Sequence, residues 1–137
     1  MTSPIVIYTD GGARNNPGPA GAGVVIQDGD KIVCETGQYL GEQTNNWAEY
    51  EAVVIALGKA YEFLLRDRDI EFRLDSKLVV EQLSGNWKIK EPALKMQAAK
   101  IKGLLKDFGT VTFRHIPREE NAEADRLVNE AIDSAGH

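Results

Sequence analysis

Acidic side chains at the ends of predicted strands and helices are the residues of this sequence best suited to chemistry. Asp10 follows the apolar run at residues 5–9 and precedes two glycines, where an acid contributes little to packing. Three other acids stand at the start of predicted helices: Glu49, Asp75 and Asp125. Each of these three also has a structural explanation, respectively a capping box that begins at Asn46, a helix cap, and a favourable interaction with the helix dipole.

Four carboxylates that meet at one place repel one another strongly unless cations neutralise them. All-oxygen ligands suit hard divalent ions such as Mg²⁺, and two such ions would cancel four negative charges. Paired divalent ions recur where phosphodiesters are hydrolysed, because one ion activates water and the other stabilises the leaving oxygen. If the fold brings the four acids together, the chemistry they predict is metal-assisted phosphodiester cleavage.

The elements that must position these acids follow from hydrophobic periodicity. Short apolar runs predict strands at residues 5–9, 24–26, 31–36, 70–74 and 110–116, and helical spacing predicts helices at residues 46–61, 76–84, 92–108 and 121–132. The first three strands form an antiparallel meander, whereas the helical crossover makes the first and fourth strands parallel neighbours. We therefore expect an α/β fold with a five-stranded mixed sheet flanked by helices, in which Asp10 and Asp75 lie at the same end of the sheet.

Two details of this prediction concern single residues. Asn121 is predicted to cap the last helix, because asparagine is a favoured N-cap residue. Trp47 and Trp87 are predicted to pack toward the core, although Trp87 could instead lie against a sugar.

Composition predicts one globular domain over residues 1–137, because 42% of the residues are hydrophobic and 27% are charged. No apolar run approaches the roughly 20 residues that span a bilayer, and the first residues lack a signal-peptide pattern. The single cysteine, Cys34, cannot form an internal disulfide. We expect a cytoplasmic monomer with no membrane partner.

The formal net charge of −5 argues against a surface that grips polyanions as a whole. The segment at residues 86–110 differs, because its only acids are Glu91 and Asp107. Its lysines are Lys88, Lys90, Lys95, Lys100, Lys102 and Lys106. This segment fits either a footprint for a phosphate backbone or the solvated face of a helix.

Four sequence blocks carry a family resemblance. They are TDGGARNNPGPAG at 9–21, TNNWAEYEA at 44–52, LDSKLVVEQL at 74–83 and HIPREENAEADRLVNEA at 115–131. With these blocks in this order over nearly the whole length, the chain closely resembles type 1 ribonuclease H. The resemblance implies a ribonuclease H-like fold and Mg²⁺-dependent cleavage of the RNA strand of an RNA/DNA hybrid, leaving 5′-phosphate and 3′-hydroxyl ends.

The resemblance also implies a set of metal ligands. Asp10, Glu49, Asp75 and Asp125 match the family's four metal-binding acids, which hold two Mg²⁺ ions per site, with Mn²⁺ as an alternative. By this likeness Asp10 bridges both ions and Asp125 helps to hold the ion that activates water. Glu49 and Asp75 hold the ion that faces the leaving 3′-oxygen.

Substrate contacts are implied in the same way. Gly11, Gly12, Asn45, Asn46 and Glu49 match positions that read the RNA 2′-hydroxyl through the minor groove. Asn16 and Thr44 match positions that hold a phosphate of the DNA strand. Without the resemblance, turn and cap chemistry would explain these asparagines equally well.

The sequence departs from the family pattern in three places. Residues 85–91 are too few for the extra helix and basic protrusion of some members, and no hybrid-binding domain precedes the first strand, so we expect weaker and more salt-sensitive binding. Lys77 stands where glutamine is common, which puts the RNA contact there in question. Many members carry a mobile histidine before the last acid. Here His115 has the expected spacing, but Arg118 ranks above it, Glu119 is a third candidate, and His115 also fits a structural strand end.

Three other functions compete with this interpretation. A catalytically silent binding module with the same fold would not need all four acids. An enzyme that acts on double-stranded RNA or a DNA junction would keep the site but change the substrate. A transferase or integrase domain fits poorly, because such domains depart from the TDGG and TNN blocks.

Overall fold

The computed structural model describes residues 3–137 and contains a central five-stranded sheet in the order β3-β2-β1-β4-β5. The strands are β1 (Ile5–Ala13), β2 (Gly18–Asp28), β3 (Lys31–Gln43), β4 (Ile70–Leu74) and β5 (Val111–His115). β1, β2 and β3 pair antiparallel, whereas β4 runs parallel to both β1 and β5. The predicted mixed sheet is confirmed, as is the parallel pairing of the first and fourth strands.

Four helices surround this sheet. They are α1 (Asn45–Glu62), α2 (Lys77–Leu83), α3 (Pro92–Leu105) and α4 (Ala122–Ser134), and a 3₁₀ turn (Arg118–Asn121) precedes α4. The helices α1, α2 and α4 contact the strands of the sheet, and α3 packs on α1. A Cβ atom added to Gly11 would meet α1, whereas one added to Gly23 would meet α4. Gly11 pairs with Ala22, the neighbour of Gly23, and successive strand residues point to opposite faces. The helices α1 and α4 therefore cover opposite faces of the sheet.

The main core lies between the sheet and the apolar stripe of α1. Along β4, Ile70, Phe72 and Leu74 are buried in strict alternation, as the sequence predicts, and Phe72 stacks on Phe113 of β5. On α1, Tyr50 and Val53 are fully buried against them. This packing supports the parallel pairing of β1 with β4, beyond which Asp10 and Asp75 lie.

The strand β1 is longer than predicted, and this changes the place of Asp10. Pairing with β2 continues through the glycines as far as Ala13, which pairs with Ala20. Asp10 therefore lies inside β1 rather than at its end. The parallel ladder with β4 stops at the pair Tyr8 and Arg73, so Asp10 and Asp75 both lie two residues beyond it.

Helix caps also differ from the prediction. The N-cap of α1 is Thr44, whose Oγ1 accepts a hydrogen bond from the Trp47 amide at 3.2 Å, so no capping box begins at Asn46. The predicted N-cap pair of α2 is Asp75-Ser76, and of these two residues Ser76 makes the cap bond, accepted from the Val79 amide. Asn121 occupies the N-cap position of α4 but makes no side-chain cap bond; its Nδ2 group instead donates a hydrogen bond to the Thr9 carbonyl oxygen.

Trp87 was predicted in the core, but 45% of its surface is exposed, whereas Trp47 packs against the core as predicted. Trp87 lies in the segment at residues 85–91, which forms neither a helix nor a strand.

The predicted long helix ends at Leu105, and Phe108 is buried beyond its end. Within residues 3–137, none of the helices has the length and apolar character needed to cross a membrane.

Candidate active site

Three acids from separate elements meet at the carboxyl end of β4. One carboxylate oxygen from each of Asp10, Glu49 and Asp75 lies within 4.8 Å of the other two. Asp10 comes from β1, Glu49 from the second turn of α1, and Asp75 from the residue after β4. Asp10 and Glu49 are buried, whereas Asp75 is half-buried. This is a set of oxygen ligands that a divalent cation can use.

Gly11 allows α1 to approach β1 closely enough to bring Glu49 into this cluster. A Cβ atom at Gly11 would lie 2.2 Å from the carbonyl oxygen of Ala48 and 2.5 Å from the amide nitrogen of Glu49. Across this contact, the Gly11 amide donates a hydrogen bond to Oε1 of Glu49 at 2.8 Å. The Glu49 carboxylate can therefore take this position only because residue 11, next to Asp10, is a glycine.

A Gly11→Ala substitution is expected to destabilise the protein by about 3 kcal/mol, because the added methyl group meets backbone that cannot move independently of α1. The matched control is Gly12→Ala, where the nearest atom to an added Cβ is Oδ1 of Asn45, 3.8 Å away. Urea unfolding of both variants measures the difference. Equal unfolding midpoints for the two variants would contradict this account of the β1–α1 contact.

Burial and mutual repulsion raise the pKa values of two acids in this cluster. Burial raises the pKa of Asp10 to about 7; the neighbouring Glu49 carboxyl acts in the opposite direction, while the charges of Asp75 and Asp125 add to the rise. Burial, followed by the charge of Asp10, also raises the pKa of Glu49 well above its ordinary value. Oε2 of Glu49 is buried without a hydrogen-bond partner among the described residues. These are the properties of a site that fits a hard cation.

The fourth acid, Asp125, stands on the first turn of α4 and faces the same space. Asp10, Glu49, Asp75 and Asp125 all line one open cavity of about 580 Å³. Asp125 is half-buried and is not one of the three acids within 4.8 Å of each other, but its charge contributes to the raised pKa of Asp10. The four predicted acids therefore share one cavity, with Asp10 close to the other three.

The glycines and asparagines of the first two sequence blocks form one rim of this cavity, which Gly11, Gly12, Asn45 and Asn46 line. Oδ1 of Asn45 accepts a hydrogen bond from the Ala13 amide at 2.7 Å. Oδ1 of Asn16 accepts one from the Asn45 amide at 3.0 Å. The β1–β2 loop is therefore bonded to the start of α1, next to the Thr44 cap.

Of the three remaining predicted site residues, one lines the cavity and two lie outside it. Arg118 lines the cavity, whereas His115 is exposed at the end of β5 and does not line it. Lys77 is also exposed and outside the lining; its Nζ lies 6.0 Å from the ring centroid of Trp87.

Sequence reasoning missed two residues beside the acids. Arg14 lines the cavity and pairs with Asp133 of α4 at 2.7 Å. Asn121 is buried next to Asp75. Arg14 lies inside the TDGGARNNPGPAG block, but nothing in its spacing indicates a partner on α4. Asn121 has the sequence pattern of a helix cap, and this pattern gives no indication that its side chain bonds to Thr9 and Asp75.

The sheet order and the shared cavity define an α/β protein with a candidate carboxylate metal site. Its sequence matches the family described as "Reverse transcriptase-like" over residues 8–131. Ribonuclease HI of Halobacterium salinarum is 45% identical over 129 residues, which cover 93% of this chain and 64% of that protein. Ribonuclease H of Alcanivorax borkumensis is 32% identical and covers 97% of this chain and 94% of that protein.

A solved structure agrees with these relatives. LC11-RNase H1, crystallised in complex with an RNA/DNA hybrid, has a TM-score of 0.92 at 52% identity and covers 97% of this chain and 99% of its own. The chain belongs to the type 1 ribonuclease H family. It spans 64% of the length of the Halobacterium relative and 36% of that of the bifunctional protein Rv2228c of Mycobacterium tuberculosis.

Proposed function

We propose that this chain is a metal-dependent endoribonuclease that hydrolyses the RNA strand of RNA/DNA hybrids and leaves 5′-phosphate and 3′-hydroxyl ends. The observation that carries the proposal is the convergence of Asp10, Glu49 and Asp75 within 4.8 Å, in a cavity that Asp125 also lines. In this proposal residues 1–137 act as a single catalytic domain and as a monomer.

Two Mg²⁺ ions, or Mn²⁺ in their place, are the proposed cofactors. The fit rests on the three converging carboxylates, the raised pKa of Asp10 and the unpartnered Oε2 of Glu49. When bound, divalent cations lower the pKa of water and neutralise the charge that develops on the phosphate. Asp10 would contribute to holding both ions, since the carboxyls of Glu49, Asp75 and Asp125 are near enough to affect its pKa. Asp125 would help to hold the ion that activates water, and Glu49 and Asp75 would hold the ion that faces the leaving 3′-oxygen.

The cavity rim is the proposed binding surface for the hybrid. A Cβ atom at Gly12 would meet only Oδ1 of Asn45 within 4 Å, so the Gly12 backbone is open to a ribose 2′-hydroxyl. Asn45 and Asn46 would contribute side-chain contacts beside Gly11. Asn16 uses its Oδ1 internally, so its Nδ2 group is the donor for a DNA phosphate, next to Thr44. The exposed Lys77 would reach the nucleic-acid backbone outside the cavity.

The test is cleavage of end-labelled duplexes of one sequence as RNA/DNA, RNA/RNA and DNA/DNA, each with Mg²⁺ or EDTA. Loss of the RNA strand in the hybrid with Mg²⁺ alone is the expected result. Cleavage of RNA/RNA as well would extend the substrate to double-stranded RNA. A hybrid that is bound but not cut in Mg²⁺ or Mn²⁺ would contradict the proposal and favour a silent binding module.

Arg118→Ala is expected to lower kcat about tenfold, whereas His115→Ala leaves kcat within twofold of wild type. The reason is geometric, since Arg118 lines the cavity and its guanidinium can donate hydrogen bonds to a phosphate there, while His115 lies outside the cavity. Steady-state cleavage of the hybrid in Mg²⁺ measures both variants. A larger loss for His115→Ala would reverse this order and require movement of the segment that carries it.

A further inference from the structure

Asn121 is a fully buried amide that joins two parts of the candidate metal site. Its exposed surface is 1%, and its Nδ2 group donates one hydrogen bond to the Thr9 carbonyl oxygen at 2.9 Å and another to Oδ2 of Asp75 at 3.4 Å. Thr9 directly precedes Asp10 in β1. One side chain therefore contacts the backbone that carries Asp10 and the carboxylate of Asp75.

These two bonds lie where the sheet itself stops connecting the two acids. The parallel ladder between β1 and β4 ends at Tyr8 and Arg73. Thr9 lies one residue beyond this ladder on β1, and Asp75 lies two residues beyond it, directly after the end of β4. Asn121 provides a bridge between the two chain segments just past the last paired residues.

Asn121 also stands at the start of the helix that carries the fourth acid. It ends the 3₁₀ turn of Arg118–Asn121, occupies the N-cap position of α4, and precedes Asp125 by four residues. Its position therefore depends on the same turn and helix that carry Arg118 and Asp125.

The bonding pattern of this amide indicates a role beyond packing. Both of its hydrogen bonds come from Nδ2, while its buried Oδ1 has no partner among the described residues. An unpaired buried acceptor carries a free-energy cost, so general stability alone does not explain an amide here. Donors that bond to metal-binding carboxylates orient those ligands and raise metal affinity.

We infer that Asn121 is a positioning residue, which holds the Asp75 carboxylate in register with Asp10 and thereby sets the metal affinity of the site. The inference rests on the proposed function, because it requires that these acids bind divalent cations.

The test is isothermal titration of Mn²⁺ alone into the metal-free protein, with no nucleic acid present. Asn121→Ala is expected to raise the Kd for Mn²⁺ at least about tenfold. The matched control is Gln97→Ala, which removes another buried side-chain amide. The Nε2 group of Gln97 donates a hydrogen bond to Glu51, which is not one of the acids of the site. Thermal unfolding of both variants without metal measures the general loss of stability.

Separate outcomes distinguish the two proposals. Weaker Mn²⁺ binding in Asn121→Ala, with wild-type binding in Gln97→Ala, supports the positioning role. Wild-type affinity in Asn121→Ala, or equal weakening in both variants, overturns the positioning role and leaves the proposed function intact. Absence of Mn²⁺ binding and of cleavage in the wild type overturns both. If Asn121→Ala does not fold, Asn121→Ser is judged by the same criteria, because its short hydroxyl cannot bridge both acceptors.

Discussion

Cleavage of the RNA strand of a hybrid by the Asp10→Asn variant is expected to be at least about 10³-fold slower than cleavage by the wild type. Asp10 lies close to the other three acids of the cavity, so its loss removes the central ligand of the candidate metal site. Asparagine keeps the size of the side chain but removes its charge, and a neutral amide binds Mg²⁺ poorly compared with a carboxylate. Without neutralising charge at the phosphate, the site loses its main means of stabilising the transition state.

The measurement is the single-turnover cleavage rate with saturating enzyme and Mg²⁺. The control is Asp30→Asn, an identical change in the exposed β2–β3 turn, which should cleave like the wild type. Binding of the uncleaved hybrid by Asp10→Asn, measured in parallel, separates loss of chemistry from loss of substrate. A reduction of less than about tenfold would contradict the central role assigned to Asp10.

Without metal, the stability of the wild type is expected to rise as the pH falls from 8 to 5. The folded-state pKa of Asp10 is about 7, above its ordinary value of 3.8, so between these values the folded protein binds a proton that the unfolded chain does not. Stability is therefore gained as the pH falls through 7 and stops changing below about 4. Glu49 acts in the same direction. The gain in the free energy of unfolding is on the order of 3 kcal/mol.

This profile is measured by urea unfolding in EDTA at a series of pH values. Asp10→Asn should be more stable than the wild type at pH 8 and should show a flatter profile, because it holds no buried charge at residue 10. Mg²⁺ should also flatten the wild-type profile, since it binds the ionised carboxylates and stabilises the folded state most at high pH.

A second variant tests whether the profile reports the acid cluster. A hydrogen bond from Arg68 lowers the pKa of Asp28, so the stabilisation from Asp28 is lost only below its ordinary value of 3.8, outside this pH range. Asp28→Asn should therefore keep the wild-type slope between pH 8 and 5. Identical slopes for Asp10→Asn and the wild type would show that the cluster does not control the profile.

Features that depend on local pattern could be predicted from the sequence. The alternation of Ile70, Phe72 and Leu74 defined β4 to the residue, because burial on one face of a strand requires a period of two. The order of strands and helices predicted the parallel neighbours β1 and β4, because a helical crossover leaves few alternatives. The four acids could be named because they belong to sequence blocks with a recognisable order.

The tertiary structure decided how those acids are held. Asp10 lies within β1 because pairing with β2 continues to Ala13, and Thr44 rather than Asn46 caps α1 because its backbone has the required extended conformation. The partners of Asn121 include Thr9, which is 112 residues away along the chain. A single sequence carries no signal for such a contact, since an asparagine before a helix has the same local pattern whether it caps the helix or bonds to a distant strand. The choice depends on which acceptors the folded core leaves within reach of the amide.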